Sequence, residues 1–129
     1  GSVVAALSRD LRSYAEGIGG REQMAIEAFS SALEVIPRTL AENAGLDPVN
    51  TIIDLRKAHS EGKAKHGVNV FDGGVVDMGK AKVFEPSRVV EQAIQSASET
   101  AVMILRIDDV ISSKSSGPMG EGEFDGMDM

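Results

Sequence analysis

The chain of 129 residues contains no cysteine and no tryptophan, and only 4% of its residues are aromatic. Without cysteine it forms no disulfide and offers no thiolate to a metal, which fits a reducing compartment. No run of about 18 apolar residues occurs, so the sequence predicts no membrane-spanning helix, and no secretory signal is visible. The core must therefore be built from Ala, Val, Ile, Leu and Met.

Basic residues are also scarce, because 13 Lys and Arg stand against 20 Asp and Glu, for a formal net charge of −7. A nucleic-acid-binding surface needs clustered Lys and Arg, so this balance argues against nucleic acid as a partner. The length allows one domain with one modest core, which we assign to residues 1–112. Residues 113–129 are rich in Gly, Ser, Met and acid, and they are predicted to form a disordered tail.

What the sequence does contain is mostly helical periodicity. Apolar residues recur at helical spacing in residues 3–16 and again in residues 21–36, with a glycine-rich turn between them. Pro37 is expected to interrupt the second helix, because it lacks an N–H and its ring clashes with the preceding turn. Asp47 followed by Pro48 predicts the start of a further helix, with Asp47 as the N-cap.

The middle of the chain predicts a different structure. HGVNVF at residues 66–71 and GVVD at residues 74–77 flank Asp-Gly, which indicates a β-hairpin. Glu85-Pro86 is expected to open the last long helix, and RIDDVI at residues 106–111 is predicted to be a short C-terminal strand. The buried face of that helix is predicted to contain Val90, Ala93, Ile94, Ala97, Ala101, Val102 and Leu105. The predicted fold class is therefore mainly α, with one small hairpin and a short C-terminal strand.

A candidate binding site lies between Asn69 and Glu85. A purine nucleoside needs apolar walls for its base, which Val70 and Val83 could form, and an amide for the base edge, which Asn69 offers. A carboxylate such as Glu85 can accept both ribose hydroxyls. Each residue also has a plainer role, as a helix-terminal charge, a turn residue or a core side chain, and composition alone favours these roles. The two histidines lack a second ligand at metal spacing, so we assign no metal site.

Two blocks resemble a known family. RTLAENAGLD at residues 38–47 and VMILRIDDVI at residues 102–111 occur in order, with GVNVF and VFEP between them. This combination, from Leu7 to Ile111, resembles the group II chaperonins, the thermosome and tailless-complex-polypeptide family. The resemblance implies the C-terminal part of an equatorial, nucleotide-binding domain, within a subunit several times longer than this chain.

The resemblance also implies which residues bind nucleotide. Gly67-Val68-Asn69 matches the G-x-N stretch of the family, and Glu85-Pro86 matches its acid-proline pair sixteen residues later. These segments form the adenosine side of the ATP or ADP site, with Val70 and Val83 as apolar contacts. Gly1 matches the last glycine of a stretch that lies against the nucleotide, although Gly1-Ser2 equally fits a cloning remnant.

The function implied is ATP-dependent protein folding in the cytoplasm. The partners would be other chaperonin subunits in a double ring, joined in part through the terminal strand, and unfolded client proteins held by an apical domain. The phosphate-binding loop, the Mg²⁺ contacts and the catalytic aspartate of the family are not in this sequence, so no catalytic residue is assigned. We do not expect this segment alone to hydrolyse ATP. The alternative is a truncated, stand-alone helical scaffold without nucleotide function.

Overall fold

A computed structural model describes residues 1–115, without the side chains of residues 108, 109 and 112–115. The predicted tail at residues 113–129 lies mostly outside this description and stays a prediction. The chain divides into two compact units, the first ending at Phe84 and the second beginning at Glu85. The first unit contains α1 (Ser2–Ile18), α2 (Gly20–Leu33), α3 (Val35–Asn43), α4 (Pro48–Ser60), β1 (His66–Val68) and β2 (Val75–Asp77), and α5 (Ser87–Ser115) belongs to the second.

The helix boundaries follow the glycine and proline signals. Between α1 and α2 the chain turns at Gly19, whose φ of 72° is a conformation that glycine adopts without strain. Only Glu34 separates α2 from α3. Pro37 occupies the first turn of α3, where an N–H would have no intrahelical acceptor, so the predicted interruption before this residue is confirmed.

The link between α3 and α4 is closed by local hydrogen bonds. Gly45 has a φ of 76°, and the N–H of Leu46 donates to the Ala41 carbonyl at 2.9 Å, which ends α3. Asp47 Oδ1 then accepts the N–H groups of Val49 and Asn50 at 2.9 and 3.2 Å. The predicted N-cap at Asp47, with proline at the first helical position, is confirmed.

The β-hairpin is confirmed, with shorter strands than predicted. β1 and β2 are antiparallel in the register His66 to Asp77, Gly67 to Val76 and Val68 to Val75. A six-residue loop, residues 69–74, connects β1 to β2. It is closed by a hydrogen bond from the N–H of Asn69 to the Gly74 carbonyl at 2.9 Å. Val68 packs with Ala41 and Leu55 in the buried core, so the hairpin is attached to α3 and α4.

A buried carboxylate connects the helices of the first unit. Glu34, 3% exposed, accepts hydrogen bonds from Arg12 Nη1 and Arg56 Nη2, each at 2.6 Å. Arg56 Nε adds a bond at 3.1 Å, and the Ser8 hydroxyl lies 3.0 Å from Glu34 Oε1 and 2.9 Å from the Ser30 carbonyl. The carboxylate at the α2–α3 break therefore contacts both α1 and α4.

The charge of Glu34 is maintained by these partners. Burial alone would raise the pKa of its carboxyl group, since a desolvated charge is unfavourable. The hydrogen bonds from Arg56, Arg12 and Ser8 outweigh burial and hold the pKa below its ordinary value. Glu34 is therefore ionised at neutral pH, and its charge contributes to the packing of α1 against α4.

The described part of the second unit corrects the predicted C-terminal strand. Residues 106–111 are not a strand, because α5 begins at Ser87, one residue after the predicted opening, and continues through them to Ser115. The predicted domain boundary at residue 112 stays a prediction. A helix satisfies its own backbone hydrogen bonds, whereas a lone strand leaves them without partners. No helix within residues 1–115 is long and apolar enough to cross a membrane.

The predicted buried face of α5 is not buried in this chain. Val102 and Leu105 are 46% and 67% exposed, and the three alanines at spacing four are also exposed. Val90 and Ile94 are only half-buried. Helical periodicity places the apolar residues of α5 along one side, but burial needs a second surface to cover them.

Replacing Glu34 with alanine should destabilise the first unit. The substitution leaves the guanidinium groups of Arg12 and Arg56 without their common partner. We expect a loss of roughly 2–4 kcal/mol, less than for a fully buried pair because both arginines reach solvent. Urea unfolding of the variant and of Glu42→Ala measures this effect. Glu42 is an exposed acid on α3, so its substitution should change stability by less than about 0.5 kcal/mol, and equal losses in the two variants would contradict the role of Glu34.

The same carboxylate should make stability depend on pH. Its pKa in the folded chain lies below the ordinary 4.5, so the unfolded chain takes up a proton first as pH falls. The stabilisation is fully present well above pH 4.5 and is lost as pH falls through the folded pKa. As pH falls below 4.5, the urea midpoint of the native chain should therefore decrease more steeply than the midpoint of Glu34→Gln. Parallel pH profiles for the two proteins would refute this assignment.

Candidate nucleotide-binding site

The hairpin lies close to the N-terminus of α1. A Cβ atom added to Gly67 would lie 3.4 Å from the Ser2 nitrogen and 2.8 Å from Met78 Cγ. Gly1 precedes Ser2, and a Cβ atom added to it would lie 3.1 Å from Pro37 Cβ. Both glycines thus permit close approaches that a side chain would disturb. Gly1 and the hairpin, both implied by the family resemblance, are brought to the same part of the first unit.

Asn69 follows β1 by one residue and is half-buried. Its Oδ1 accepts the N–H groups of Phe71 and Asp72 at 3.0 and 3.3 Å, so the side chain organises the loop of the hairpin. Its Nδ2 makes one long bond to Asp72 Oδ2 at 3.4 Å. The plainer role of a turn residue is therefore present, and the amide group still has a hydrogen to donate.

Val70 and Val83 present apolar surface to their surroundings. Val70 is 39% exposed and Val83 is 55% exposed, so neither belongs to the core. The N–H of Val83 donates to the Met78 carbonyl at 3.0 Å, which links this valine to the residue that packs on Gly67. Lys82, with a φ of 57°, makes the turn that brings Val83 back to Met78.

Asp77 is a structural residue that the sequence reasoning missed. Its Oδ1 accepts the N–H groups of Gly79 and Lys80 at 2.8 and 3.1 Å, which orders the segment leading to Val83. The backbone hydrogen bond from Lys80 is the largest influence on this carboxyl group, and with that from Gly79 it lowers the pKa of Asp77. An aspartate at the end of a predicted strand, two residues before a glycine, is the signal that indicates such a turn.

Glu85 is the first residue of the second unit, and it is exposed. It comes just before the start of α5, two residues after Val83 in the chain. No group of three or more His, Asp or Glu side chains within the described residues is arranged to hold a metal ion. Because Glu85 is exposed, its carboxylate can accept hydrogen bonds from a ligand.

One cavity of the first unit lies away from these residues. It has a volume of about 210 Å³, and Arg9, Glu34, Arg56 and His59 are among the residues that line it. None of the five candidate residues contributes to its walls. Gly1 adjoins the contact between Ser2, Gly67 and Met78 through Ser2, and Val83 is linked to it by the hydrogen bond to Met78.

Comparisons with known proteins identify the family. The model of the TCP-1/cpn60 chaperonin family matches residues 1–115. Thermosome subunit beta of Methanothermobacter thermautotrophicus is 56% identical over 123 residues, which are 94% of this chain and 23% of that protein. Thermosome subunit alpha of Archaeoglobus fulgidus is 58% identical over 121 residues, with 89% and 22% covered.

A solved structure gives the same result. The open-state monomer of a group II chaperonin from Methanococcoides burtonii aligns with a TM-score of 0.79 and 50% identity, over 81% of this chain and 26% of that one. This chain belongs to the TCP-1/cpn60 chaperonin family, and the resemblance to group II chaperonins is confirmed. The predicted helical equatorial-domain segment with one hairpin is confirmed as well, apart from its terminal strand. The chain spans between 22% and 26% of the length of these relatives.

Adding a methyl group at Gly67 should destabilise the hairpin. Gly67→Ala forces Met78 to move and crowds the Ser2 nitrogen, with an expected loss of about 1–3 kcal/mol in the free energy of unfolding. Met78→Ala in the same background removes the crowding side chain, so the double variant should lose less than the sum of the two single losses. Urea unfolding of the native chain, the two single variants and the double variant measures this difference in the free energy of unfolding.

Gly17→Ala is the matched control for Gly67→Ala. No atom lies within 4 Å of a Cβ added there, and the residue is helical, so stability should rise by about 0.5–1 kcal/mol. Strictly additive losses at Gly67 and Met78 would show that the close contact does not restrict the hairpin.

Proposed function

We propose that this chain supplies the adenosine side of an ATP or ADP site in a group II chaperonin subunit that assists protein folding. The observation that supports the proposal is the contact of the start of α1, next to Gly1, with Gly67 of the hairpin, to which Val83 is linked through Met78. Asn69 and Val70 follow Gly67 closely in the chain, whereas the approach of the segment of Gly1 is not predicted by sequence spacing.

The chemistry of these residues fits an adenosine. Val70 and Val83 offer exposed apolar surface for the base. Asn69 Nδ2 can donate a hydrogen bond to the base, because its bond to Asp72 Oδ2 is long, at 3.4 Å. Glu85 offers an exposed carboxylate that can accept both hydroxyl groups of the ribose. Gly1, which is exposed, leaves the backbone before α1 free of a side chain. The bound nucleotide would supply the phosphoryl chemistry, and these residues would bind and orient its nucleoside.

The remaining parts of the function belong to regions outside this chain. Phosphate and Mg²⁺ contacts, and the residues of hydrolysis, are expected elsewhere in a subunit whose relatives are about four times longer. The partners would be other chaperonin subunits in a double ring, with unfolded client proteins bound by the same subunits in the cytoplasm. Because residues 106–111 are helical, we no longer propose strand pairing as the route of ring assembly.

Replacing Glu85 with alanine in the complete subunit should weaken ATP and ADP binding. Hydrogen bonds to charged groups contribute about 1.5–3 kcal/mol, so the affinity should fall about ten- to a hundredfold. Asn69→Ala should lower the nucleotide affinity by less, because Asn69 Oδ1 already accepts hydrogen bonds from the loop backbone. Calorimetric titration of nucleotide into the purified subunit measures both effects.

Glu91→Ala is the matched control, because Glu91 is another exposed acid near the start of α5. Its substitution changes the net charge equally and should leave nucleotide affinity unchanged. Equal affinities for Glu85→Ala, Glu91→Ala and the native subunit would refute the adenosine site. That result would favour a helical scaffold without nucleotide function in this segment.

A further inference from the structure

A chain of hydrogen bonds connects α1, α4 and β1 through one buried histidine. His59, in the last turn of α4, is only 2% exposed. Its Nε2 lies 2.8 Å from the carbonyl oxygen of His66, the first residue of β1. Its own carbonyl oxygen accepts a bond from Arg9 Nη1 at 2.8 Å. His59 therefore contacts the hairpin with its side chain and α1 with its backbone.

The geometry defines the direction of the bond to the hairpin. A carbonyl oxygen only accepts, so Nε2 of His59 carries the hydrogen. The carbonyl of Lys65 accepts from Met78 and the N–H of Asn69 donates to Gly74, so the backbone groups of these residues face β2. Antiparallel strands alternate, and the His66 carbonyl therefore faces away from β2, where the sheet offers it no partner. His59 satisfies this edge carbonyl.

This bond has a consequence for the position of the loop. A two-stranded hairpin is only marginally stable by itself, so contacts with the helices must hold it in place. The packing of Val68 on Leu55 and Ala41 is not directional, whereas a hydrogen bond to one carbonyl specifies where β1 lies along α4. Asn69 begins the loop three residues after His66, so its position depends on this attachment.

We propose that His59 is a positioning residue for the nucleotide-binding hairpin. Its Nε2–H holds the His66 carbonyl, and Arg9 holds the His59 backbone, so that β1 presents Asn69 and Val70 to the adenosine. The proposal rests on the function proposed above and adds a residue outside the binding surface to it. It also explains why a polar side chain is almost completely buried at the end of α4, next to the core residue Leu55.

Three substitutions of His59 separate the hydrogen bond from simple packing. In His59→Gln the side-chain amide nitrogen can reach the place of the imidazole Nε2 and donate to His66. In His59→Asn the amide is too short to do so, and in His59→Leu no donor remains. A carbonyl left without its bond corresponds to roughly a tenfold change in an equilibrium constant.

The measurements are amide hydrogen exchange and nucleotide affinity in the complete subunit. We expect His59→Leu and His59→Asn to accelerate exchange of the amides of residues 66–77 about tenfold and to weaken ATP binding several-fold. His59→Gln should keep both close to native values. Rescue by Gln and failure of Leu would not result from loss of packing alone, because Leu also fills the buried position but has no hydrogen to donate.

Ile52→Ala provides the matched control for general destabilisation. Ile52 is 5% exposed on the same helix and has no part in the hydrogen-bond chain. Its substitution should raise exchange throughout the first unit without selecting the hairpin. The same pattern of exchange in His59→Leu and Ile52→Ala, or native exchange in His59→Asn, would overturn the proposal.

The affinity measurements separate this proposal from the proposed function. Suppose that Glu85→Ala weakens nucleotide binding, whereas His59→Leu accelerates amide exchange at residues 66–77 without any effect on affinity. The positioning role is then wrong. If neither substitution changes affinity, the adenosine site itself is wrong. Selective exchange at residues 66–77 with a parallel loss of affinity, both restored by Gln, supports the positioning role.

Discussion

The packing of the first unit depends on the ionised carboxylate of Glu34. A buried charge is stable only when partners replace its lost hydration, and here Arg12 of α1 and Arg56 of α4 do so at 2.6 Å each. The carboxylate lies at the single-residue break between α2 and α3, three residues before Pro37. β1 packs against both α1 and α4, and its position therefore depends indirectly on this ion-pair cluster.

The candidate nucleotide site is a product of that arrangement. A short hairpin has little stability of its own, so its place is decided by the helices around it. Three contacts hold it there, namely the packing of Val68 on Leu55, the close approach at Gly67 and the bond from His59 to the edge of β1. The candidate residues Asn69 and Val70 therefore follow a strand that the helices hold in place. Loops that carry candidate binding residues above a packed support are common in proteins.

Local signals predicted much of the fold, and one local signal was wrong. Asp47 and Gly45 make their caps with neighbours within five residues, so their roles were readable from adjacent sequence. The short segment RIDDVI at residues 106–111 fits a strand or a helix equally well by periodicity. It continues α5, because no glycine or proline ends the helix before Ser115 and no described strand pairs with it. The apolar face of α5 was also readable, but its burial was not, since burial requires a covering surface.

The sequence by itself determined the family, the helix caps, the hairpin and the five candidate residues, because those depend on short motifs and their spacing. Only the tertiary structure decided which polar groups are paired across the fold. Glu34 meets Arg12 over 22 residues and Arg9 meets His59 over 50, and no local pattern records such partners. The approach of the start of α1 to Gly67 of the hairpin arises in the same way. The reason is physical: a buried polar group must find a partner wherever the packing of helices brings one, and that packing is a property of the whole unit.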